Sequence, residues 1–264
     1  MIPVAGGPGG FLGEALEKAL LREELLRSPR RGGGLRAAVA RAVREERRPA
    51  LILEFKRCRP GGFVEYMEPW RFLELLGGAA DAFSVLAEPY WFCGSPELVA
   101  YIAAVGGKPV LYKDFVAGGG LLRQAASAGA SAVLLILDML GWRRLGDLYE
   151  EARGLGLEAL IETSSSDDAV EAMGSFPGAL VGINARNLET LEVSFERLLE
   201  EVRKAAGEKP RDALLVAESS IDSTEKALAL ARAGADALLI GTWAVRSPRE
   251  VARLPERLRR ALGE

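Results

Sequence analysis

The segment Gly129–Leu137 reads GASAVLLIL. A glycine stops a helix because it takes the left-handed conformation at little cost. The small residues after it permit a tight turn, and an unbroken apolar run then reads as a strand covered on both faces. The same order returns at Gly78–Leu86 (GAADAFSVL) and at Gly234–Gly241 (GADALLIG). Repetition of one helix–turn–strand unit is what a closed parallel sheet requires, although open doubly wound sheets use it too.

Working outward, short apolar runs predict strands at Ala50–Phe55, Ala82–Leu86, Pro109–Lys113, Ala132–Leu137, Glu158–Glu162, Leu180–Asn184, Ala213–Ala217 and Ala237–Ile240. Helical periodicity fills the intervals. Leu191–Ala206 puts Leu191, Phe195, Leu198, Leu199 and Val202 near one face. Ile221–Ala233 has Asp222 or Ser223 as its N-cap, Glu225 in its first turn and Gly234 as its stop. Ser247-Pro248 opens the last helix. Eight strands favour closure, so the expected fold is a single (β/α)8 TIM barrel, an α/β architecture. Residues 1–48 are expected as an N-terminal helical extension, with helices at Gly10–Leu26 and Leu35–Glu46 covering the barrel's bottom or mouth. Residues 49–264 make the barrel itself, one domain overall.

Composition narrows the chemistry. At 264 residues the length suits one such barrel, and a net charge of −3 argues against nucleic acid as a partner. No apolar run approaches the ~20 residues a membrane helix needs, and the start lacks the pattern of a signal peptide. A cytoplasmic protein that does not engage membranes is expected. Histidine is absent, which removes Ser-His-Asp triads, His-ligated metal and imidazole acid–base work. Proton transfer is left to Lys, Glu, Asp, Tyr, Cys or water. The two cysteines, Cys58 and Cys93, lack metal-motif spacing and are expected as free thiols. They fall on neighbouring loops after strands one and two, so a bridge between them is the alternative. Asn occurs only at 184 and 187 and Gln only at 124, an economy of thermolabile amides that points to a thermophilic source, although a GC-rich genome would also favour the abundant Arg.

A barrel of this kind reacts at the C-terminal ends of its strands. Those ends carry Glu54 and Lys56, Lys113, Glu162, Asn184 and Glu218. Glu and Lys are depleted in strands, so buried strands that end in charge ask for a reason beyond propensity. Structural ion pairs are the plain alternative, Glu54 with Lys56 or Glu218 with either lysine. Lysine is scarce, however, at positions 18, 56, 108, 113, 204, 209 and 226, and two of these lie at the expected mouth. Arg holds its proton, whereas a desolvated Lys can be tuned as an acid. The loops after the last two strands, Glu218-Ser219-Ser220 and Ile240-Gly241-Thr242, offer hydroxyls and backbone N–H groups to a phosphate. Ser219 or Ser220 as a mere helix cap is the competing reading. Gly118-Gly119-Gly120 lacks the spacing of a nucleotide loop and reads as a flexible loop.

The segments LILEFKRCRPGG, LAEPYWFCGS, VLYKDFV, ALIET, VGINARNLETL, VAESSI and LLIGTWAVR occur in this order at barrel spacing. Together they resemble indole-3-glycerol phosphate synthase. That resemblance implies conversion of a carboxyphenylamino-deoxyribulose phosphate into indole-3-glycerol phosphate, with loss of carbon dioxide and water, in tryptophan biosynthesis. It implies a small phosphorylated substrate, no metal and no organic cofactor. Lys113 matches the family's acid for ring closure and Glu162 the carboxylate of the dehydration. Lys56 either binds the substrate carboxylate or supplies the second proton. Glu54, Asn184 and Glu218 match supporting polar residues; Phe92, Phe115, Leu134, Arg186 and Leu188 match positions around the aromatic ring and mouth. Ser219, Ser220, Ile240, Gly241 and Thr242 fall at the phosphate site. Four positions depart from the family pattern: Arg59 for Ser, Ser220 for Gly, Thr242 for Ser and Leu121 for Gln. Arg59 adds a cation near the substrate's anions. A monomer is expected, able to dock with other enzymes of the pathway. Two other readings compete: a different phosphosugar barrel (a phosphoribosylanthranilate isomerase or a tryptophan synthase α-type lyase), and a catalytically silent barrel serving assembly.

Overall fold

The computed structural model describes residues 33–60, 62–184 and 194–263, together with Gly10, Leu12, Gly13, Ala15, Leu16, Ala19 and Leu20, which are helical. The rest of the expected Gly10–Leu26 helix lies outside the described residues, as do Arg186 and Leu188. The barrel strands are β1 (Ala50–Phe55), β4 (Ala82–Leu86), β5 (Val110–Lys113), β6 (Ala132–Ile136), β7 (Glu158–Thr163), β8 (Leu180–Asn184), β9 (Leu214–Glu218) and β10 (Ala237–Ile240). They close in the order β1-β10-β9-β8-β7-β6-β5-β4, all neighbours parallel. Between β1 and β4 a small antiparallel hairpin, β2 (Cys58–Arg59) with β3 (Gly62–Phe63), stands apart from the barrel.

Helix α1 (Leu35–Glu45) precedes β1. Around the barrel follow α2 (Pro69–Leu76), α3 (Pro89–Phe92), α4 (Pro96–Val105), α5 (Gly119–Ser127), α6 (Leu137–Gly154), α7 (Ser166–Ser175), α8 (Phe195–Glu208), α9 (Thr224–Arg232), α10 (Thr242–Arg246), α11 (Pro248–Val251) and α12 (Leu254–Gly263). Among these described helices none is long and apolar enough to cross a membrane.

Strand alternation sorts the core into two bodies. Inward-facing Ala50, Ile52, Ala82, Leu111, Ala132, Leu134, Ile136, Leu160, Leu180, Leu214, Val216, Ala237 and Leu239 fill the barrel, and Leu35, Val39 and Ala42 of α1 pack beneath them. Outward-facing residues such as Leu51, Leu53, Phe83, Val85, Ile161 and Leu215 pack under the helices. At the bottom, buried Arg48 donates to Asp81 at 2.7 and 3.1 Å, and Asp81 also accepts from the backbone N–H of Leu51 at 2.7 Å. A charge pair in so dry a place holds because each oxygen finds a donor.

Helix starts settle the alternatives the sequence left open, the expected start at Leu191 lying outside the described residues. Ser194 and Ser223 cap α8 and α9 by accepting from Arg197 and Lys226 N–H, so Ser223 is the cap, not Asp222, Ser219 or Ser220. The last segment is two helices, α11 and α12, rather than one. Gly118-Gly119-Gly120 is not a flexible loop. Gly118 is the extended N-cap of α5, Gly119 and Gly120 form its first turn, and the tip of Glu151 on α6 lies close against Gly119.

The two cysteines are not free thiols: Cys58 and Cys93 form a disulfide with their Cα atoms 5.5 Å apart. The physical reason lies in the barrel. Adjacent β1 and β4 bring their following loops side by side, and residues 35 apart in sequence become neighbours.

Candidate active site

Register explains how the charged residues meet. Glu54 continues the inward row Ala50, Ile52; Lys113 follows Leu111, Glu162 follows Leu160, and Glu218 follows Leu214 and Val216. Each is thus the topmost inward residue of its strand, above the last apolar layer. Glu162 pairs in register with Gly182, and Asn184 with Glu218.

At the centre Lys113 Nζ lies 2.8 Å from Glu218 Oε2, 3.7 Å from Glu162 Oε2 and 3.9 Å from Glu54 Oε2. Lys56 Nζ pairs with Glu54 Oε1 at 2.7 Å. Glu54 therefore bridges the two amines. The three carboxylates are buried, and both lysine side chains retain slight exposure, 14% for Lys56 and 16% for Lys113, on the open side. Two glycines make the space: a Cβ on Gly182 would overlap Glu218, and one on Gly241 would overlap Glu54 and lie 2.7 Å from Lys56 Nζ.

Electrostatics follow from this crowding. Burial alone would strip the proton from Lys113, but the fields of Glu218, Glu162 and Glu54 outweigh it and hold the ammonium well above the ordinary lysine range. For Glu218, burial pushes the carboxyl up to about 7; Lys113 opposes this and Glu162 adds to it. Its Oε1 finds no hydrogen-bond partner among the described residues, nor does the buried Ser84 Oγ, whose strand position pairs with Glu54. A buried carboxyl oxygen left unpartnered beside an ammonium is a place for a polar group brought by something else.

The remaining expected positions surround this cluster. The rings of Phe92 and Phe115 lie 6.2 Å apart at the rim, and Phe115 is 40% exposed. Leu134 sits within the barrel, one inward layer below Ile136, which pairs with Glu162; it supplies floor and not rim. Arg59 is exposed on β2. Ser219 and Ser220 both have left-handed backbones, φ 69° and 57°. A glycine takes this conformation freely, whereas a residue with a Cβ is strained there. Thr242 opens α10 directly after Gly241, and Ile240 is buried behind it. Among the described residues no group of three His, Cys, Asp or Glu is arranged to hold a metal ion. A cleft of about 430 Å³, lined by Arg36, Arg44, Glu158, Lys209, Asp212 and Asp236 among others, lies against α1 at the opposite end of the barrel from Lys56 and Lys113.

Sequence reasoning missed one residue that shapes the rim. Buried Glu88 accepts from Tyr90 N–H at 2.8 Å and from Trp91 and Phe92 N–H at 2.7 and 3.2 Å, holding the turn that presents Phe92. An acid immediately before a proline at a helix start was the available signal.

A family model described as indole-3-glycerol phosphate synthase matches residues 17–254. The chain belongs to the indole-3-glycerol phosphate synthase family. Among proteins named indole-3-glycerol phosphate synthase, that of Aeropyrum pernix is 42% identical over 248 residues, covering 90% of this chain and 93% of its own. That of Sulfurisphaera tokodaii is 33% identical, covering 93% of this chain and 97% of its own. Among solved structures, a mutant tryptophan synthase alpha-subunit from the hyperthermophile Pyrococcus furiosus superposes with a TM-score of 0.58 at 15% identity, over 82% of this chain and 99% of that one. At that identity the likeness speaks to the barrel alone.

Proposed function

We propose that this synthase-family chain closes the indole ring of 1-(2-carboxyphenylamino)-1-deoxyribulose 5-phosphate, with Lys113 as the acid. The observation that carries the reading is the Lys113 ammonium held by three buried carboxyl groups at the open end of the barrel. An aryl carbon attacks the ketone carbon, and the carbonyl electrons become an alkoxide that needs a proton or a positive neighbour at that moment. Lys113, held charged in the free site, gives that proton to the oxygen and becomes a neutral amine until it is reprotonated. The carboxylate then leaves as carbon dioxide, its bonding electrons restoring the aromatic ring. In the dehydration that follows, Glu162 takes a ring proton while Lys56, whose carboxylate partner has left as carbon dioxide, donates the proton with which the hydroxyl departs as water.

Charge balance supports the assignment. Two ammonium groups face three carboxyls, and the surplus is relieved where Glu218 keeps a proton up to about pH 7. Lys56 stands against Gly241 rather than deeper among the acids. We assign it to the substrate's anionic groups, with Arg59 as a second cation. Ser219, Ser220, Gly241 and Thr242 would receive the phosphate, backed by Ile240. Phe92, Phe115 and Leu134 would enclose the aromatic ring, and Asn184 would position the sugar hydroxyls. A cytoplasmic site of action is proposed with this reaction.

The test is direct. Addition of the carboxyphenylamino-deoxyribulose phosphate to the purified chain should give the rising fluorescence of an indole, with release of one carbon dioxide per product. Binding of that compound without either signal would remove the proposal.

A further inference from the structure

The disulfide joins two parts of the mouth, the hairpin after β1 and the turn after β4. Cys58 lies two residues beyond Lys56 on the β2–β3 hairpin and is buried; Cys93 directly follows Phe92 and is exposed. The Phe92 turn is rigid in its own right. Glu88 caps it through three backbone N–H groups, Gly94 N–H bonds the Glu88 carbonyl at 2.9 Å, and Cys93 ends it in a left-handed conformation at φ 52°. The hairpin is not rigid in the same way. It has two residues in each strand. Its base is anchored by buried Val64, whose N–H donates to the Arg57 carbonyl at 2.8 Å, and by Arg57, which lies over the Phe55 and Tyr66 rings and reaches Glu68 and the Met67 carbonyl. Among the described residues, the tip that carries Cys58 and Arg59 has only the two-residue ladder and the bridge. Two-stranded ribbons of this size hold poorly alone. Through the Phe92–Phe115 contact the bridged turn also reaches the loop that follows Lys113.

We propose that the Cys58–Cys93 bridge is a redox-sensitive clamp that fixes the Lys56 loop against the Phe92 turn and thereby sets substrate affinity. The inference rests on the proposed reaction for its effect on substrate, and on the loops alone for the clamp. Opening proceeds by exchange with a dithiol. One thiolate of the reductant attacks the Sγ of Cys93, the exposed residue of the pair, the Cys58–Cys93 bond breaks, and Cys58 leaves as a thiolate that takes a proton. The reductant's second thiolate then attacks the mixed disulfide, Cys93 departs as a thiol, and the reductant ends as a disulfide, having supplied two electrons. An oxidised dithiol closes the clamp by the reverse steps.

The experiment compares the chain as purified under air with the chain reduced by dithiothreitol, reduction being confirmed by titration of both thiols. Hydrogen exchange should quicken at residues 57–66 and 90–93 while the barrel strands keep their protection. Substrate KM should rise about tenfold on reduction with kcat within about twofold, as for a mouth whose competent spacing is populated about a tenth of the time. Reoxidation should restore the low KM, and Cys93→Ser should show the high value with or without dithiothreitol. Equal KM in the two redox states would overturn the clamp, as would unchanged exchange in these loops or exchange that quickened throughout the strands. If neither redox state turned substrate over, the reaction would be at fault, and the exchange pattern alone would still decide the clamp.

Discussion

At the scale of single residues, the site depends on what a lysine does among glutamates. Lys113→Ala removes the one ammonium that touches all three acids and leaves them facing each other. Turnover should fall by about 10²–10⁴-fold, the span of a lost general acid, while substrate still binds. Indole fluorescence in single-turnover mixtures reads the first, and quenching of the protein's tryptophans on titration reads the second. Near-normal turnover in this variant would transfer the acid's role elsewhere. Glu218 bears on pH. In the fold it keeps its proton up to about 7, against 4.5 for an ordinary glutamate. Between those values the folded chain binds more protons than the unfolded one. This group's stabilisation is therefore complete below about pH 4.5 and is lost as the pH rises through about 7. Glu218→Gln keeps the shape without the ionisation, so its melting temperature should decline less than the parent's from about pH 4.5 to 7. Parallel melting curves across that range would assign the ionisation to another group.

At the scale of elements, the strands decide which side chains can meet. Ala50–Phe55, Ala82–Leu86, Leu180–Asn184 and Ala237–Ile240 are legible to the residue, because doubly covered strands are written as mostly apolar runs between turn residues. Glu218 shows where that reading stops. Its acid argues against a strand, yet hydrogen bonding by β8 and β10 on either side carries β9 through it. The same alternation that fills the barrel with Ile52 and Leu111 places Glu54 and Lys113 inward above them, so the candidate site is legible once strand ends are aligned. Gly118 to Gly120 misleads because three glycines read as freedom, while they start helix α5 with the tip of Glu151 close by. The disulfide is only half legible, since pairing depends on which loops adjoin and not on their spacing along the chain. Gly241 tests the element-level account. Gly241→Ala would drive a methyl group into the Glu54–Lys56 pair. Displacement of such groups by about an ångström costs on the order of 10²-fold in kcat. A variant with parental kcat, measured by initial rates at saturating substrate, would show that the pair tolerates displacement.

On the scale of the whole molecule, stability and chemistry are assigned to opposite ends of one barrel. The Arg48–Asp81 pair and the Leu51 N–H it satisfies sit below the apolar layers, and the lysines sit above them. Asp81→Ala leaves a buried guanidinium with less compensation and an amide without its acceptor, a loss of about 3–5 kcal/mol. KM for substrate should stay at the parental value, since the interior layers between are close-packed and unchanged. Guanidinium unfolding gives the first quantity and steady-state kinetics at low temperature the second. A shift in KM without loss of stability would mean the two ends communicate.

Helix α1 seats Leu35, Val39 and Ala42 under the barrel like a stopper. Among the described residues the reaction vessel is consequently a well stopped at its base, whose door is the end where the strands finish. Under the proposed chemistry three products of very different size must leave through it: a gas, a water molecule and a bulky phosphate ester. The two small ones form while the large one still blocks the way, so they must slip outward along its flank or wait behind it. Departure of the ester, and the loosening of whatever grips it at the lip, then sets the earliest moment at which the well can be refilled.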